Sequence, residues 1–335
     1  MRSSLLTVAI TTHNRRSLLK EAIDSVLSQT FSDFRVMIFD NASNDGTDKL
    51  ISNIQEQDDR IEYIRHKYNL GWHKNVYLAL TTPKTQYVAW LMDDDIWLPN
   101  HLEQGLKQLE ATPEAALYAS AAEYFGAGRV GALGLGSMGI KGKPICIDFR
   151  NDFTPMLVGN PFVGSAIIAR SRSISQIRRW YRTTAIDWLI SGQLCLEGTV
   201  VFNPTPTVRY RWHQSNLSHQ LLGTRLGTVH HRFVLRVLAK DALQSGRLCL
   251  DRLEHCLLDE WAPPVAAAAI VALSSFDSDR ELRNRLINLF RHSPQFRQKV
   301  SISGHCRLAA RIGSRYLRYA DVIDRVRVGW RNRPI

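Results

Sequence analysis

Three short apolar runs in the first 95 residues each break abruptly into polar chemistry. Leu5–Thr11 (LLTVAIT) leads into TTHNR, Phe34–Asp40 (FRVMIFD) into DNASNDGT, and Gln86–Met92 (QYVAWLM) into MDDD. The runs are rich in β-branched and aromatic residues, as buried strands are. Stretches of helical period separate them. In Arg16–Gln29, Leu18, Leu19, Ala22, Ile23, Val26 and Leu27 fall on one face. Thr47 stands where it can cap a helix carrying Leu50, Ile51 and Ile54; His73–Leu80 reads as helical; Pro99 opens a helix to about Ala111. Ile61–Arg65 and Leu117–Phe125 read as further strands. This alternation predicts an α/β fold, a Rossmann-like, mostly parallel sheet flanked by helices. In such sheets ligands bind at the carboxyl ends of the strands. The three polar ends then share one edge.

Later segments are less regular. Gly126–Gly142 holds seven glycines and reads as a surface insertion or a mobile loop over the site. Phe162–Arg170 reads as a strand, Ile186–Leu196 as a helix, and Val200–Phe202 and Val208–Trp212 as extended segments. Beyond Gln220 the pattern is helical. The expected division is an α/β catalytic domain over residues 1–219 and a basic α-helical C-terminal region over 220–335.

Charge bears on partners. Between Arg280 and Ile335 fourteen Lys and Arg face only Glu281, Asp321 and Asp324, so nearly all of the net charge of +12 lies there. Leu308, Ile312, Tyr316, Tyr319, Ile323 and Val326 form one helical stripe, and Arg307, Arg311, Arg315, Arg318 and Arg325 a basic stripe beside it. Such a helix can rest on an anionic membrane surface or pack on the body with its arginines in water. No apolar window is long enough for a membrane span; Ala262–Phe276 comes nearest, and the N-terminus lacks the features of a signal peptide. The expectation is a cytoplasmic chain, peripheral on the inner face of the membrane. Five cysteines without metal or redox spacing (146, 195, 249, 256 and 306) read as buried, reduced thiols.

The triplet Asp93, Asp94 and Asp95 follows an apolar strand, where three carboxylates repel one another. A solvated acidic loop tolerates that. A sheet-edge cleft would need a divalent cation, and Mg²⁺ or Mn²⁺ commonly joins such carboxylates to a diphosphate.

At these residues the chain resembles family 2 inverting glycosyltransferases of GT-A fold. MDDDIWLPNHLE is similar to their metal-binding DxD segment, VAITTHNR to their first strand and turn, FDNASNDGT to their nucleotide-binding segment, and NLGWHKN to their NxGxxxxRN segment. The resemblance implies that Thr11, Thr12, His13 and Asn14 border the nucleoside, with His13 against the base. It puts Asp40 on the base or ribose, Asn69 in the donor site, and Lys74 on the diphosphate. The literal DxD is Asp93–Asp95. Aligned on IWLP, the first family aspartate falls on Met92, which makes Asp94 the main metal ligand, Asp95 the second, and turns Asp93 toward ribose or metal.

NPFVGSAIIARSR (160–172) resembles the family segment entering the acceptor side, and TAIDWLISGQLCLEG its base-bearing helix, with Asp187 as base and Ile186 where glutamate is usual. VRYRWHQSNLSH resembles the closing segment, implying Arg211 and Ser218 on the donor phosphates and His213 near metal or phosphate. The function implied is inverting transfer of a sugar from a nucleotide-diphosphate donor, UDP-linked by preference, to a hydroxyl of a glycan or lipid-linked saccharide, assisted by Mn²⁺ or Mg²⁺. Two other classes stay open: a nucleic-acid binder using the tail, which lacks interleaved stacking aromatics, and a non-catalytic sugar-nucleotide binder.

Overall fold

The structure is a computed structural model that describes residues 4–128, 130–133, 135, 140–178, 180–216, 220, 224–260 and a few positions between 284 and 294. The basic stripe at 307–326, the alanine-rich stretch 262–276, Ser218 and Cys306 lie outside the described residues.

The first half alternates as the sequence predicts. Strand β1 (Leu6–Thr12), helix α1 (Arg16–Leu27), β2 (Phe34–Asp40), α2 (Thr47–Gln55), β3 (Ile61–Arg65), α3 (Trp72–Thr81) and β4 (Tyr87–Met92) follow in order. Then come β5 (Ile96–Trp97), α4 (His101–Ala111), β6 (Ala115–Phe125), β7 (Ala132–Leu133), β8 (Ile145–Ile147), α5 (Thr154–Val158), β9 (Ile167–Arg170), α6 (Ser171–Ile174), α7 (Ile186–Glu197), β10 (Thr199–Arg211) and α8 (Arg225–Gln244).

One sheet runs β3-β2-β1-β4-β9-β6-β10-β5. Its first four strands are parallel, whereas β9 is antiparallel to both β4 and β6 and β5 is antiparallel to β10. The sheet is therefore parallel where the three polar strand ends meet and mixed beyond β4.

Alternation along β1 feeds two cores. Leu6, Val8 and Ile10 pack with α1 and α4 residues such as Leu19, Ile23 and Leu106 on one face. Ala9, with Met37, Val88 and Trp90, packs on the other face with Val76 of α3, Leu189 of α7, and Val234 and Leu238 of α8. Helix α8 thus shares a core with the sheet. Among the described residues no helix is long and apolar enough to cross a membrane.

Four local expectations are amended. Thr47 begins α2 instead of capping it: Gly46 in the left-handed region (φ +82°) precedes it, and Asp45 accepts from the Thr47 hydroxyl at 2.6 Å. Of Phe162–Arg170 only Ile167–Arg170 is strand. The two extended segments after α7 are one strand, β10, whose pairing with β6 breaks between Asn203 and Pro206, where proline cannot donate to the ladder. Cys195 and Cys256 are buried thiols as expected, but Cys146 and Cys249 are exposed. In the glycine-rich stretch, β7 turns back on β6, with Gly126, Gly128 and Gly131 at positive φ.

Candidate active site

Three strand ends and two later segments close around a cavity of about 260 Å³. Thr11, Thr12, His13 and Arg15 from the turn after β1 line it, with Asn41 after β2, Met92, Asp93 and Asp94 after β4, and Trp72 and Asn75 on α3. Thr184 and Asp187 approach from the α7 side, and Tyr210 and Asn216 from the end of β10.

The turn after β1 is held by its neighbour. Asn14 sits in the left-handed region (φ +53°), which asparagine tolerates better than most residues. Its backbone N–H donates to Ser43 Oγ at 2.8 Å, and its Oδ1 accepts from Asn44 N–H at 2.8 Å. The second loop is organised by Asp40, which is fully buried. Asp40 Oδ1 accepts from the backbone N–H (2.9 Å) and hydroxyl (2.6 Å) of Ser43, and Oδ2 from the Tyr63 hydroxyl at 2.5 Å. Burial and the Asp40 carboxylate together push the Tyr63 phenol up. Asp40 is thus engaged inside the protein, and the cavity instead receives Asn41. Asn41 donates to Asn69 Oδ1 at 2.8 Å and accepts from Leu70 N–H at 2.7 Å. Asn69 in turn lies 3.2 Å from His13 Nε2 and so links His13 to Asn41 from behind the lining residues.

The acidic triplet divides by direction. Asp93 accepts from the Thr12 hydroxyl at 2.7 Å and from Arg15 Nη1 at 3.0 Å. Asp94 Oδ2 accepts from Arg15 Nη1 at 2.7 Å and from Asn216 Nδ2 at 3.3 Å, with His213 Nε2 at 3.1 Å. Burial, then the charge of Asp94, pushes the Asp93 carboxyl up to about 6 against the pull of Arg15. Asp95 turns away from the cavity. It is wholly buried, with one oxygen accepting from the Ser165 hydroxyl at 2.6 Å and the other from Arg211 N–H at 2.9 Å. The pair facing the cavity is therefore Asp93 and Asp94, and Asp95 ties the triplet to β10.

Two expected cations point elsewhere. Lys74 lies over the Tyr77 ring, 4.8 Å from its centroid, and does not line the cavity. The Arg211 guanidinium donates to the Asp94 carbonyl at 2.9 Å and to Glu21 at 2.6 Å. The cation that does reach the carboxylate pair is Arg15, which also donates to the Ser215 carbonyl at 3.0 Å. Sequence reading passed over it, although a pair of buried carboxylates requires a counter-charge and Arg15 is the last residue of the polar turn.

Asp187, in the first turn of α7, also lines the cavity. Asn160 Nδ2 donates to it at 3.2 Å. Burial pushes its carboxyl up, outweighing the hydrogen bonds of Trp188 N–H and Asn160 that pull the other way. Asn41, Trp72, Asn75, Thr184, Tyr210 and Asn216 were also missed. Each adjoins or lies within a recognised segment, but nothing in its type singles it out.

Among the described residues no three His, Cys, Asp or Glu form a ready-made metal cluster. The set present is two carboxylates with His213 beside one of them. That suits an ion of the Mg²⁺ or Mn²⁺ kind, which takes one or two carboxylates and completes its shell with phosphate oxygens and water.

The model of the family described as "Glycosyl transferase family 2" matches residues 7–177. An uncharacterized glycosyltransferase of Methanocaldococcus jannaschii is 35% identical over 112 residues, which are 33% of this chain and 39% of that protein. The Campylobacter jejuni GalNAc(5)-diNAcBac-PP-undecaprenol beta-1,3-glucosyltransferase is 36% identical over 91 residues, 27% of this chain and 29% of that one. The aligned part thus spans well under half of either relative. Among solved structures, S. aureus TarS 1–349 in complex with UDP-GlcNAc superposes with a TM-score of 0.61 at 14% identity, over 95% of this chain and 88% of that one. The mannosyltransferase PcManGT of Pyrobaculum calidifontis, in complex with GDP-Man and Mn²⁺, gives 0.52 at 16% identity, over 96% and 86%. At these identities the likeness is one of fold.

Proposed function

The chain belongs to glycosyl transferase family 2, and from that premise we propose an inverting transferase that moves a sugar from a nucleotide-diphosphate donor, UDP-linked by preference, to a hydroxyl of a glycan or lipid-linked saccharide. The observation that carries this reading is a cavity lined both by Asp93 and Asp94 at the end of β4 and by Asp187 in the first turn of α7. A donor diphosphate belongs beside the acid pair and an attacking hydroxyl beside the lone carboxylate. The neighbours in fold carry UDP-GlcNAc and GDP-Man, which supports a nucleotide sugar as donor.

In this reading Thr11, Thr12, His13, Asn14, Asn41 and Asn69 enclose the nucleoside. Asp93 and Asp94, with His213 beside Asp94, would hold a divalent ion, which neutralises charge on the departing diphosphate. Arg15 holds the two carboxylates in place and offers a further positive charge to the phosphates. Asp40, Asp95 and Arg211 brace the loops that carry these groups.

Asp187 takes the proton of the acceptor hydroxyl as that oxygen attacks the anomeric carbon from the face opposite the leaving group. Burial suits it to the task, because a carboxyl raised above its ordinary range is a stronger base once ionised. Of the three carboxylates that line the cavity among the described residues, Asp93 and Asp94 are paired with Arg15, which leaves Asp187 alone for the acceptor, an arrangement that favours inversion.

The test is calorimetric binding of UDP, GDP, dTDP and CDP with and without Mn²⁺, on the wild type and Asp94→Asn. Metal-dependent binding of one nucleotide, lost in the variant, is expected. A folded wild type that binds none of the four would overturn the reading.

A further inference from the structure

Lys74, displaced from the diphosphate side, lies in an unusual electrostatic setting. The stretch from Tyr63 to Met92 contains Arg65, Lys67, Lys74 and Lys84 and no acid. The stretch from Phe153 to Ile186 contains Arg170, Arg172, Arg178, Arg179 and Arg182 and again no acid. The two meet where Tyr77 of α3 packs edge-on against Trp180, their ring centroids 5.0 Å apart. At this seam Trp72 and Thr184 line the cavity, and Asp187 follows three residues after Thr184. His73 and Lys74 succeed Trp72 directly, and Arg182 stands two residues before Thr184.

Lys74 and Arg182 make no ion pair among the described residues. The Trp72 and His73 ring nitrogens Nε1 and Nε2 are buried without a hydrogen-bond partner. The His73 ring is folded back on Gly71, so close that a Cβ there would stand 2.8 Å from His73 Cε1. Burial, then the charges of Arg182 and Lys74, holds the His73 imidazole down at about 4. Two unpaired cations and two unused ring nitrogens beside a carboxylate base form a receptor for an anion that is not the donor.

We propose that Lys74, His73 and Arg182 form a phosphate subsite for the acceptor, so that the molecule presenting its hydroxyl to Asp187 carries a phosphate ester. This rests on the transferase reading above for the role of Asp187. The phosphoryl group seats between Lys74 and Arg182, and Trp72 offers its face to the adjoining sugar or polyol. The same phosphate chemistry can come from an isoprenyl lipid carrier or from a polyol phosphate.

The experiment is calorimetry on the full chain held in saturating UDP and Mn²⁺. Geranyl phosphate and sn-glycerol 3-phosphate are the probes, geraniol and glycerol the neutral controls. Wild type is expected to bind a phosphate ester and not its alcohol. Lys74→Ala/Arg182→Ala is expected to bind that ester at least tenfold more weakly, with UDP affinity and melting temperature unchanged, and Lys74→Arg to restore most of the affinity. Preference for the geranyl ester assigns a lipid carrier, and preference for the glycerol ester a polyol phosphate. Equal binding by wild type and the double variant overturns the subsite, as does a wild type that binds neither ester. A parallel loss of UDP affinity also overturns it, since it would place the pair on the donor side. If the wild type binds no nucleotide yet takes the ester through this pair, the transferase reading fails and the subsite stands.

Discussion

Arg15 Nη1 stands 2.7 Å from Asp94 Oδ2, with the arginine side chain 28% exposed and the aspartate 7%. The same nitrogen lies 3.0 Å from Asp93 Oδ1, so one guanidinium stabilises both carboxylates that face the cavity. Removing it leaves two buried negative charges together. Arg15→Ala is expected to cost about 3 kcal/mol of stability, the usual penalty for orphaning a buried ion pair. A divalent ion would replace the lost charge. Added Mn²⁺ should therefore raise the melting temperature of Arg15→Ala more than that of the wild type. An equal rise in both proteins would show that Arg15 and the metal do not share this carboxylate pair.

Asp187→Asn should separate chemistry from stability. As base, Asp187 is worth about 10²–10⁴ in kcat, and the Asn variant should lose that while keeping its UDP affinity. Its folded-state pKa is raised, so the protonated form is the one that favours folding, and that stability is lost as pH rises through the folded value. At pH 8 the neutral asparagine should thus be at least as stable as the wild type in urea unfolding. A clear destabilisation would point to a structural carboxylate.

The same shift fixes the sign of the pH profile. Activity requires ionised Asp187, so kcat should rise with pH along an acid limb centred above the ordinary aspartate value of about 4. A kcat profile flat down to that value would remove Asp187 from the role of base.

The members of the triplet should differ in kind. Asp94→Asn should abolish metal-dependent nucleotide binding with little change in fold. Asp95→Ala leaves the Ser165 hydroxyl and Arg211 N–H without their acceptor, which should cost about 1–3 kcal/mol for each buried group. Nucleotide binding by Asp95→Ala should survive at temperatures where it is folded. Loss of Mn²⁺ binding in folded Asp95→Ala would restore Asp95 as a ligand.

Gly198 joins α7 to β10 where two chain segments nearly touch. A Cβ there would stand 2.6 Å from the Glu114 carbonyl oxygen and 2.9 Å from Ala116 N, both backbone atoms that cannot swing aside. Gly198→Ala should cost about 1–3 kcal/mol, the range for overpacking, measured by urea unfolding. A neutral result would show that the junction has slack.

Much of the fold was legible in the chain. The period changes between LLTVAIT and the α1 stripe reflect strand and helix geometry directly, so β1 to β4 and α1 to α4 could be read within a residue or two. What pairs with what was not. That β9 inserts antiparallel between β4 and β6 could not be read, because a short apolar segment with no alternation carries no signal of direction.

The site divided in the same way. That threonine, asparagine and aspartate stand at strand ends on one edge, and that Asp187 lies in the first turn of a helix, follows from the chain alone. Where those side chains aim depends on contacts that exist only after folding. Asp93, Asp94 and Asp95 are alike in type and adjacent in the chain, and what parts them is Arg15 at 2.7 Å on one side and Ser165 at 2.6 Å on the other. Lys74, expected on the diphosphate, lies over Tyr77, and the cation beside the acid pair is Arg15. Charge and spacing along the chain are local properties. The contacts that turn Asp93 and Asp94 to the cavity and Asp95 away from it come from residues 70 to 120 positions away, which only the folded chain brings together.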